Sequence, residues 1–393
     1  MGARDMSGEA ILTLNAGSSS IKFSVYAAGD EPRELGRGEV ENLNAEAHLH
    51  VDPEGGAPCD EEIGKADHAG ALAAILDHLP PILGARRVAG VGHRVVHGGV
   101  AYAAPQLLDD KVVDDLHALE PLAPLHQPYN LAAVSAARAA FPDALQVACF
   151  DTAFHRGHPW VNDTFALPRA YYDRGVRRYG FHGLSYDFIA GEIARRYPEL
   201  SEGRVIVAHL GNGASMCGMR AGKSVTSTMG FSAVDGLPMG TRTGQLDPGV
   251  LLYLMEFEKM DAARLTRLLY KESGLKGLSG VSNDMRTLEA SDAPEAAQAI
   301  AYFTARIRHE IGALTADLGG LDALVFTGGI GEHSARVRAG ACEGMEWLGL
   351  SVDAGANAGD APEIGAGRVR VLVIPTDEER VIARAVAGFL ARG

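Results

Sequence analysis

Residues 11–26 read ILTLNAGSSSIKFSVY, and residues 204–219 read RVIVAHLGNGASMCGM. Each is an apolar run, a small-residue corner and a second run. On the second arm of the first stretch, Ile21, Phe23 and Val25 alternate with Ser20, Lys22 and Ser24. That is the period of a strand with one buried face. Asn15, Ala16 and Gly17 make the reversal. Shifted by 196 positions, Leu14, Gly17 and Ser19 coincide with Leu210, Gly213 and Ser215. The reading is a hairpin repeated at the start of two halves, which predicts a duplicated domain.

Outward from these hairpins, VAGVGHRVVHGG (88–99) is an apolar strand running into a glycine corner. QVACFDTAF (146–154) is a buried strand ending in an acid, and LDALVFTGGIGEH (321–333) is a strand with a glycine turn. RVLVIPTDEERVIARAVAGFL (370–390) reads as a strand, then an amphipathic helix with Asp377, Glu378 and Glu379 at its favourable end. Helical spacing covers 69–79, ending at Pro80 and Pro81, and also 107–119, 130–141, 248–271 and 293–318. The polar, Pro- and Gly-bearing stretch 42–70 predicts a surface excursion. Helices alternating with short buried strands predict an α/β fold of two lobes with a cleft between them. Hairpins beside parallel strands argue against a barrel. The expected first lobe spans 9–153 and takes back the helix 380–393; the second spans 154–379.

The chain has 393 residues, with 47 % apolar and 22 % charged residues, ordinary globular values that exclude wholesale disorder. Fifty acids against 36 bases, a formal charge of −14 and no basic stripe argue against a nucleic-acid partner. No window supplies the roughly 20 apolar residues of a membrane helix, so no membrane partner is expected. The terminus MGARDMSGEA lacks the apolar run of a signal peptide. Cys59, Cys149, Cys217 and Cys342 lie far apart, which suits reduced thiols in the cytoplasm and neither a zinc knuckle nor a disulfide framework.

Three glycine corners follow apolar strands: NAGSSS (15–20), HLGNGAS (209–215) and FTGGIGEH (326–333). Such corners turn tightly and can bring N–H groups toward an anion. None is a dinucleotide fingerprint or a Gly-Lys-Ser/Thr loop. Together they favour a phosphate-rich ligand. Lys22 is either a solvated strand residue or part of a polar face turned to the cleft. Arg94 and Arg242 suit a phosphoryl or carboxylate ligand, with a structural ion pair as the alternative. Asp151 and Glu378 close strands where acids serve a metal or a proton. His93 and His97 read as strand residues roughly 13 Å apart, so they make no zinc pair. His182, in YGFHGLS, is the strongest histidine, as a catalytic contact or as a hydrogen-bonding support. No Ser or Cys nucleophile motif is present. The sum points to phosphoryl transfer with a divalent ion rather than to hydrolysis or redox chemistry.

At this point the chain resembles the acetate/propionate kinase family, within the superfamily of sugar kinases, heat-shock ATPases and actin. The resemblance runs through NAGSSSIKF, GHRVVHGG, LAPLHQPYN, FDTAFH, YGFHGLS, HLGNGAS, MGTRTGQLDP, FTGGIGEHS and PTDEE, in order, from residue 11 to about 385. It implies two actin-like (ribonuclease H-like) lobes from a duplicated mixed-sheet core, and a homodimer. It implies reversible transfer of the γ-phosphoryl group of ATP to acetate, with ATP/ADP and Mg²⁺ as cofactors. By the same resemblance Asn15 and Glu378 serve Mg²⁺, and Arg94 and Arg242 hold the acyl carboxylate and the phosphoryl group. His182 would bond that group, and Asp151 would be the essential acid. Ser18, Ser20 and Lys22 would approach the ATP phosphates. His126, His209, Gly211, Asn212 and Gly213 match further active-site positions. Gly329 and Gly331 match the nucleotide loop, and Asp284, Met285 and Arg286 the adenosine side. Val96, Leu125 and Phe181 match the pocket for the acetate methyl group.

There are departures. SAVDG (232–236) stands where the family has Thr-Pro-Leu-Glu-Gly, so Ala233 replaces a pocket-wall proline. A widened pocket would admit propionate, since one methylene is worth roughly 1–3 kcal/mol in such a site. GEHS (331–334), Gln245 and VTSTMG (225–230) also differ from the usual pattern. A propionate or butyrate kinase, a nucleotide-driven binding switch and a non-catalytic structural protein are the alternatives. Arg94, Arg242 and His182 together argue against the switch, and the intact carboxylates at the partner positions of Asn15 argue against the structural protein.

Overall fold

The structure, a computed structural model, describes residues 6, 8–17 and 19–392. The chain divides into two units, one of residues 1–154 and 377–393, the other of residues 155–376. In the first, β1 (Glu9–Ala16) and β2 (Ile21–Ala27) form the expected hairpin, with Asn15 opposite Lys22. β3 (Arg33–Glu41), β4 (Glu46–Pro53), β5 (Cys59–Lys65), β6 (Arg87–Val95), β7 (Gln106–Leu107) and β8 (Leu145–Phe150) complete a sheet. Its order is β5-β4-β3-β2-β1-β6-β8-β7. The second unit holds β9 (Arg204–Leu210), β10 (Ala214–Arg220), β11 (Lys223–Ser227), β12 (Ala323–Thr327) and β13 (Arg370–Val373), in the order β11-β10-β9-β12-β13.

The duplication is visible in these orders. β3-β2-β1-β6-β8 and β11-β10-β9-β12-β13 share both sequence and direction: two antiparallel pairings, then two parallel ones. Each parallel crossover needs an intervening helix. This is the mixed α/β core expected of the fold.

In the first unit the core is built by strand alternation against the helix His68–Leu83. Leu12, Leu14, Phe23 and Val25 are fully buried with Ile75 and Leu79. On the other face the helix Glu378–Leu390 lies close to β6 because that strand carries glycines. A Cβ on Gly92 would come within 2.3 Å of Ile382, and one on Gly90 within 2.4 Å of Val386. The sequence AGVGH thus brings the first turn of the final helix to the end of β6.

Several expectations need correction. Residues 42–70 are no loop excursion: they form β4 and β5. Ala47, Leu49 and Val51 alternate into the core, a period hidden by the Pro and Gly around it. The first helix runs through Pro80 and Pro81 to Leu83, although each proline forgoes the N–H bond that would reach back to residue 76 or 77. The stretch 248–271 is two helices, Pro248–Glu256 and Ala262–Lys271, the second capped by Asp261. The chain returns to the first unit at 377, three residues before the expected boundary. Asp377 caps the final helix by accepting from the Arg380 N–H. Glu378 therefore belongs to the first unit.

Candidate active site

The first unit gathers three of the sequence-derived residues around the guanidinium of a fourth, Arg94. Arg94 Nε donates to Asp151 Oδ1 at 3.0 Å, and Nη2 to Asp151 Oδ2 at 2.8 Å. Its third nitrogen, Nη1, lies 3.1 Å from Glu378 Oε2 and 3.5 Å from Asn15 Oδ1. The register explains the meeting. β1 and β8 flank β6, with Leu14 beside His93 and Cys149 beside Arg94. Asn15 and Asp151 follow at the same end of their strands. Asp151 is buried, and Arg94 is 19 % exposed. Burial works against the Arg94 charge, but the Asp151 and Glu378 carboxylates outweigh it and push its pKa up.

Val96 is buried just beyond β6, and its N–H donates to Asn130 Oδ1 at 3.0 Å. Asn130 also donates to the Ala16 carbonyl at 2.7 Å, so one side chain ties the ends of β1 and β6. Leu125 and His126 precede the helix Gln127–Ala140 and are half-buried. Lys22 is exposed and 3.5 Å from Glu39, an arrangement that by itself assigns it no ligand. Ser20 sits in the hairpin turn, where its carbonyl accepts from Gly17 at 2.8 Å. Ser18 lies outside the described residues.

The second unit carries its own cluster at the β9–β10 corner. His182 Nδ1 is hydrogen-bonded to Ser215 Oγ at 2.8 Å, and Tyr186 supports the same hydroxyl. The His182 ring stacks on His209 at 4.4 Å, and Ser185 holds His209 Nδ1 at 2.8 Å. Gly213 lies directly under the pair of basic groups. A Cβ there would stand 3.3 Å from His182 Nε2 and 3.8 Å from Arg242 Nη1. Arg242 Nη1 donates to the Ala233 carbonyl at 3.1 Å, so Ala233 steers the guanidinium through its backbone.

His182 has φ 58°, left-handed backbone that costs an L-residue about 1 kcal/mol. The segment around it is pinned. His155 Nε2 donates to the carbonyl of buried Phe181 at 3.0 Å. Gly180, at φ 74°, leaves room for that ring: a Cβ would reach it at 2.5 Å. Because Nε2 carries the proton, His155 Nδ1 accepts from the Ser224 hydroxyl at 2.8 Å. His158 Nε2 then donates to the same oxygen at 2.7 Å. Burial drives His155 down to about 4 and His158 down to about 2, so both are neutral at pH 7.

Beside this corner lies a cavity of about 510 Å³ in the second unit. Gly211, Asn212, Asp284, Met285, Arg286 and Gly329 are among the residues that line it. Gly331 is buried behind it, facing β9 and β12. Asn212 Oδ1 accepts from Asn283 at 3.3 Å. Asp284 caps a short helix through the Arg286 N–H and pairs with the Arg286 side chain at 2.6 Å. Glu332 shapes the adjacent corner by accepting from the Gly328 N–H at 2.8 Å.

The sequence matches the Acetokinase family over residues 10–384. A protein of Methylocella silvestris named acetate kinase is 55 % identical over 394 residues, covering 97 % of this chain and 98 % of that one. The crystal structure of Porphyromonas gingivalis acetate kinase superposes with a TM-score of 0.88 at 37 % identity, over 97 % of this chain and 100 % of that one. A propionate kinase from Francisella tularensis gives 0.90 at 32 % identity, over 96 % and 98 %. This chain belongs to the acetokinase family.

For an acetokinase, the donor set at Asn15 and Glu378 fits Mg²⁺. It is an amide oxygen and a carboxylate, hard ligands without sulfur or imidazole. Both oxygens approach the same nitrogen of Arg94. Burial, with Asp151 and Glu379 nearby, pushes the Glu378 carboxyl up to about 7 against the pull of Arg94. A divalent cation beside it would keep it ionised.

Among the groups that sequence reasoning overlooked in this acetokinase are Ser215, Tyr186, Asn130, Asn283 and Ser224. Glu289 and His333, which line the cavity, are two more. Ser215 was in the quoted HLGNGAS corner. Alternation along β10 places Ser215 and Cys217 on one face, so the signal was present. Asn130 and Ser224 act only through tertiary contacts, which no local pattern announces.

Proposed function

We propose that this acetokinase catalyses the reversible, Mg²⁺-dependent reaction of acetate and ATP to give acetyl phosphate and ADP. A carboxylate oxygen of acetate forms a bond to the γ-phosphorus as the bond to the β–γ bridging oxygen breaks. The observation that carries the reading is the convergence of His182 Nε2 and Arg242 Nη1 above Gly213, beside a cavity of about 510 Å³. Two fixed cationic or N–H donors at that corner suit the spread negative charge of a transferring phosphoryl group.

Gly211, Asn212, Asp284 to Arg286 and Gly329 take the nucleotide, with Gly331 shaping the loop. Arg94 binds the acetate carboxylate and the incoming phosphoryl oxygens. Asp151 holds Arg94 in place and needs no proton-accepting role, because acetate is already ionised at pH 7. Asn15 and Glu378 hold Mg²⁺, which when bound neutralises charge on the phosphate oxygens. Ser20 and Lys22, on the hairpin that carries Asn15, take the ATP phosphates together with Ser18, and His126 and His209 border the acyl and phosphoryl groups. Val96, Leu125 and Phe181 exclude water around the methyl group. Propionate is a second, slower acceptor in this reading, supported by Ala233 in place of a proline ring.

The active form is a homodimer. The helix Pro248–Glu256 has no buried residue despite its sequence PGVLLYLME, and Leu252 and Phe257 are 65 % and 66 % exposed. Exposed apolar side chains on one helix support a docking face for a second copy. The cytoplasm, where ATP is supplied and thiols stay reduced, is the location that fits. No helix among the described residues is long and apolar enough to cross a membrane.

Trapping the product as acyl hydroxamate, with acetate, ATP and Mg²⁺, tests the reading. Colour that depends on all three supports it. No product from folded protein with any short carboxylate would favour a binding role instead.

A further inference from the structure

We propose that Cys59, Glu61 and His78 form a binding site for a thiophilic divalent cation of the zinc class. None of the three belongs to the phosphoryl-transfer residues above. Cys59 and Glu61 are two apart on β5 and so share a face of that strand. His78 projects from the helix His68–Leu83. One ligand atom from each (thiol sulfur, carboxylate oxygen and ring nitrogen) lies within 4.8 Å of the others.

The hydrogen bonding of His78 makes this more than proximity. Its Nδ1 is 2.9 Å from the Ala74 carbonyl, one helical turn earlier. A carbonyl can only accept, so Nδ1 carries the proton. In neutral imidazole, Nε2 then presents a lone pair. That lone pair meets Glu61 Oε2 at 3.2 Å. Two electron-pair donors at this distance call for a cation between them, either a proton or a metal ion. An imidazole held through Nδ1–H to a backbone carbonyl, with Nε2 turned toward a second donor, is the arrangement metal-binding histidines use.

The third donor decides for a metal. Cys59 is the one cysteine of four that is not buried. Burial pushes Cys217 and Cys342 up to about 12, which disfavours their thiolates and leaves them outside such chemistry. A sulfur, nitrogen and oxygen set matches zinc and not magnesium, which prefers oxygen alone. On binding, the Cys59 thiol gives its proton to solvent and the thiolate donates its electron pair to the ion. Three protein ligands leave a fourth position for water, so the ion is exchangeable.

The site also has a structural consequence. β5 is the edge strand of its sheet, and Asp60, Glu61 and Glu62 are exposed on it. An ion shared with His78 clips that edge to the helix beneath and offsets its negative charge. Unpaired edges are otherwise prone to wrong pairing.

The test uses the full chain, stripped with chelator and titrated with Zn²⁺ and separately with Co²⁺. We expect one Zn²⁺ held per chain and a cobalt–thiolate charge-transfer band. Cys59→Ser abolishes the band. Cys59→Ser and His78→Gln each weaken Zn²⁺ binding by at least about tenfold. Both variants keep wild-type kinase turnover in Mg²⁺, which certifies their fold. Zn²⁺ slows amide exchange across residues 59–65 in the wild type only. Absence of the cobalt–thiolate band, or Zn²⁺ affinity unchanged in Cys59→Ser, overturns the proposal.

Discussion

Asp151 engages Arg94 fork to fork: Nε and Nη2 of the guanidinium donate to its two carboxylate oxygens at 3.0 and 2.8 Å. The buried acid spends both oxygens on orientation, and Nη1 is the nitrogen turned to Asn15 and Glu378. Planar two-point contact fixes the direction of the remaining donors. Asp151 is thereby a positioning residue for Arg94.

Arg94→Ala and Arg242→Ala are each expected to lower turnover at least roughly tenfold, the loss seen when a fixed donor to transition-state charge is removed. Asp151→Asn should lose turnover too, and Arg94→Lys should not rescue it, because an ammonium lacks the fork. Steady-state kinetics on variants with unchanged circular dichroism makes the check. Wild-type turnover in either alanine variant would remove the clamp.

His155 is expected to act through the Phe181 carbonyl. His155→Ala removes the donor that pins the strained His182 segment. We anticipate a fall in kcat with KM for ATP nearly unchanged, since the cavity proposed for the nucleotide is lined by other segments. His155→Gln, whose amide can still donate, should recover part of the loss. A variant that changes KM for ATP and leaves kcat intact would contradict the assignment.

Acid should destabilise the protein through its buried histidines. His93 and His155 are lowered to about 4 and His158 to about 2, in each case chiefly by burial. In the unfolded chain each titrates near 6.5, so between about 6.5 and 4 the unfolded state binds more protons. Stability is then full above pH 6.5 and falls as pH drops through that window. Denaturant melts should show a loss on the order of a few kcal/mol from pH 7 to pH 4. A flat profile over that range would mean the imidazoles are not buried as neutral groups.

For acyl selectivity, kcat/KM with propionate should fall short of the acetate value by less than about a hundredfold, in line with one methylene in a pocket lacking the proline ring. A larger preference for acetate would reject the widened pocket. Ala233→Pro is expected to sharpen the preference.

The exposed helix Pro248–Glu256 gives a separate prediction. Leu252→Glu should convert a dimer to a monomer in light scattering coupled to size exclusion. A wild-type chain that is monomeric at micromolar concentration would rule out the dimer.

Much of this molecule could be read from its residues. Both hairpins, the duplicated core and the strand ends bearing Asn15, Arg94 and Asp151 follow from period-two alternation closed by a polar residue. What escaped were features whose cause is tertiary. β4 and β5 carry exposed, polar faces because they approach the sheet edge, so their composition resembles a loop. Pro80 and Pro81 look like helix breakers, yet the helix continues through them to Leu83, with its buried face of Ile75, Leu79 and Ile82 packed in the core. Ala233 reads as a missing side chain, while its visible contribution is a carbonyl held by Arg242. The His155–Ser224–His158 network joins residues far apart in the chain and shares no motif.

Transfer of a phosphoryl group at the corner where His182 and Arg242 converge above Gly213 is tested directly by a crystal structure with ADP, Mg²⁺, acetate and aluminium fluoride, a planar mimic of that group. We expect the His182 ring and the Arg242 guanidinium both within hydrogen-bond distance of the fluoride complex, with acetate in line. A complex in which the mimic sits away from both would overturn the proposed reaction.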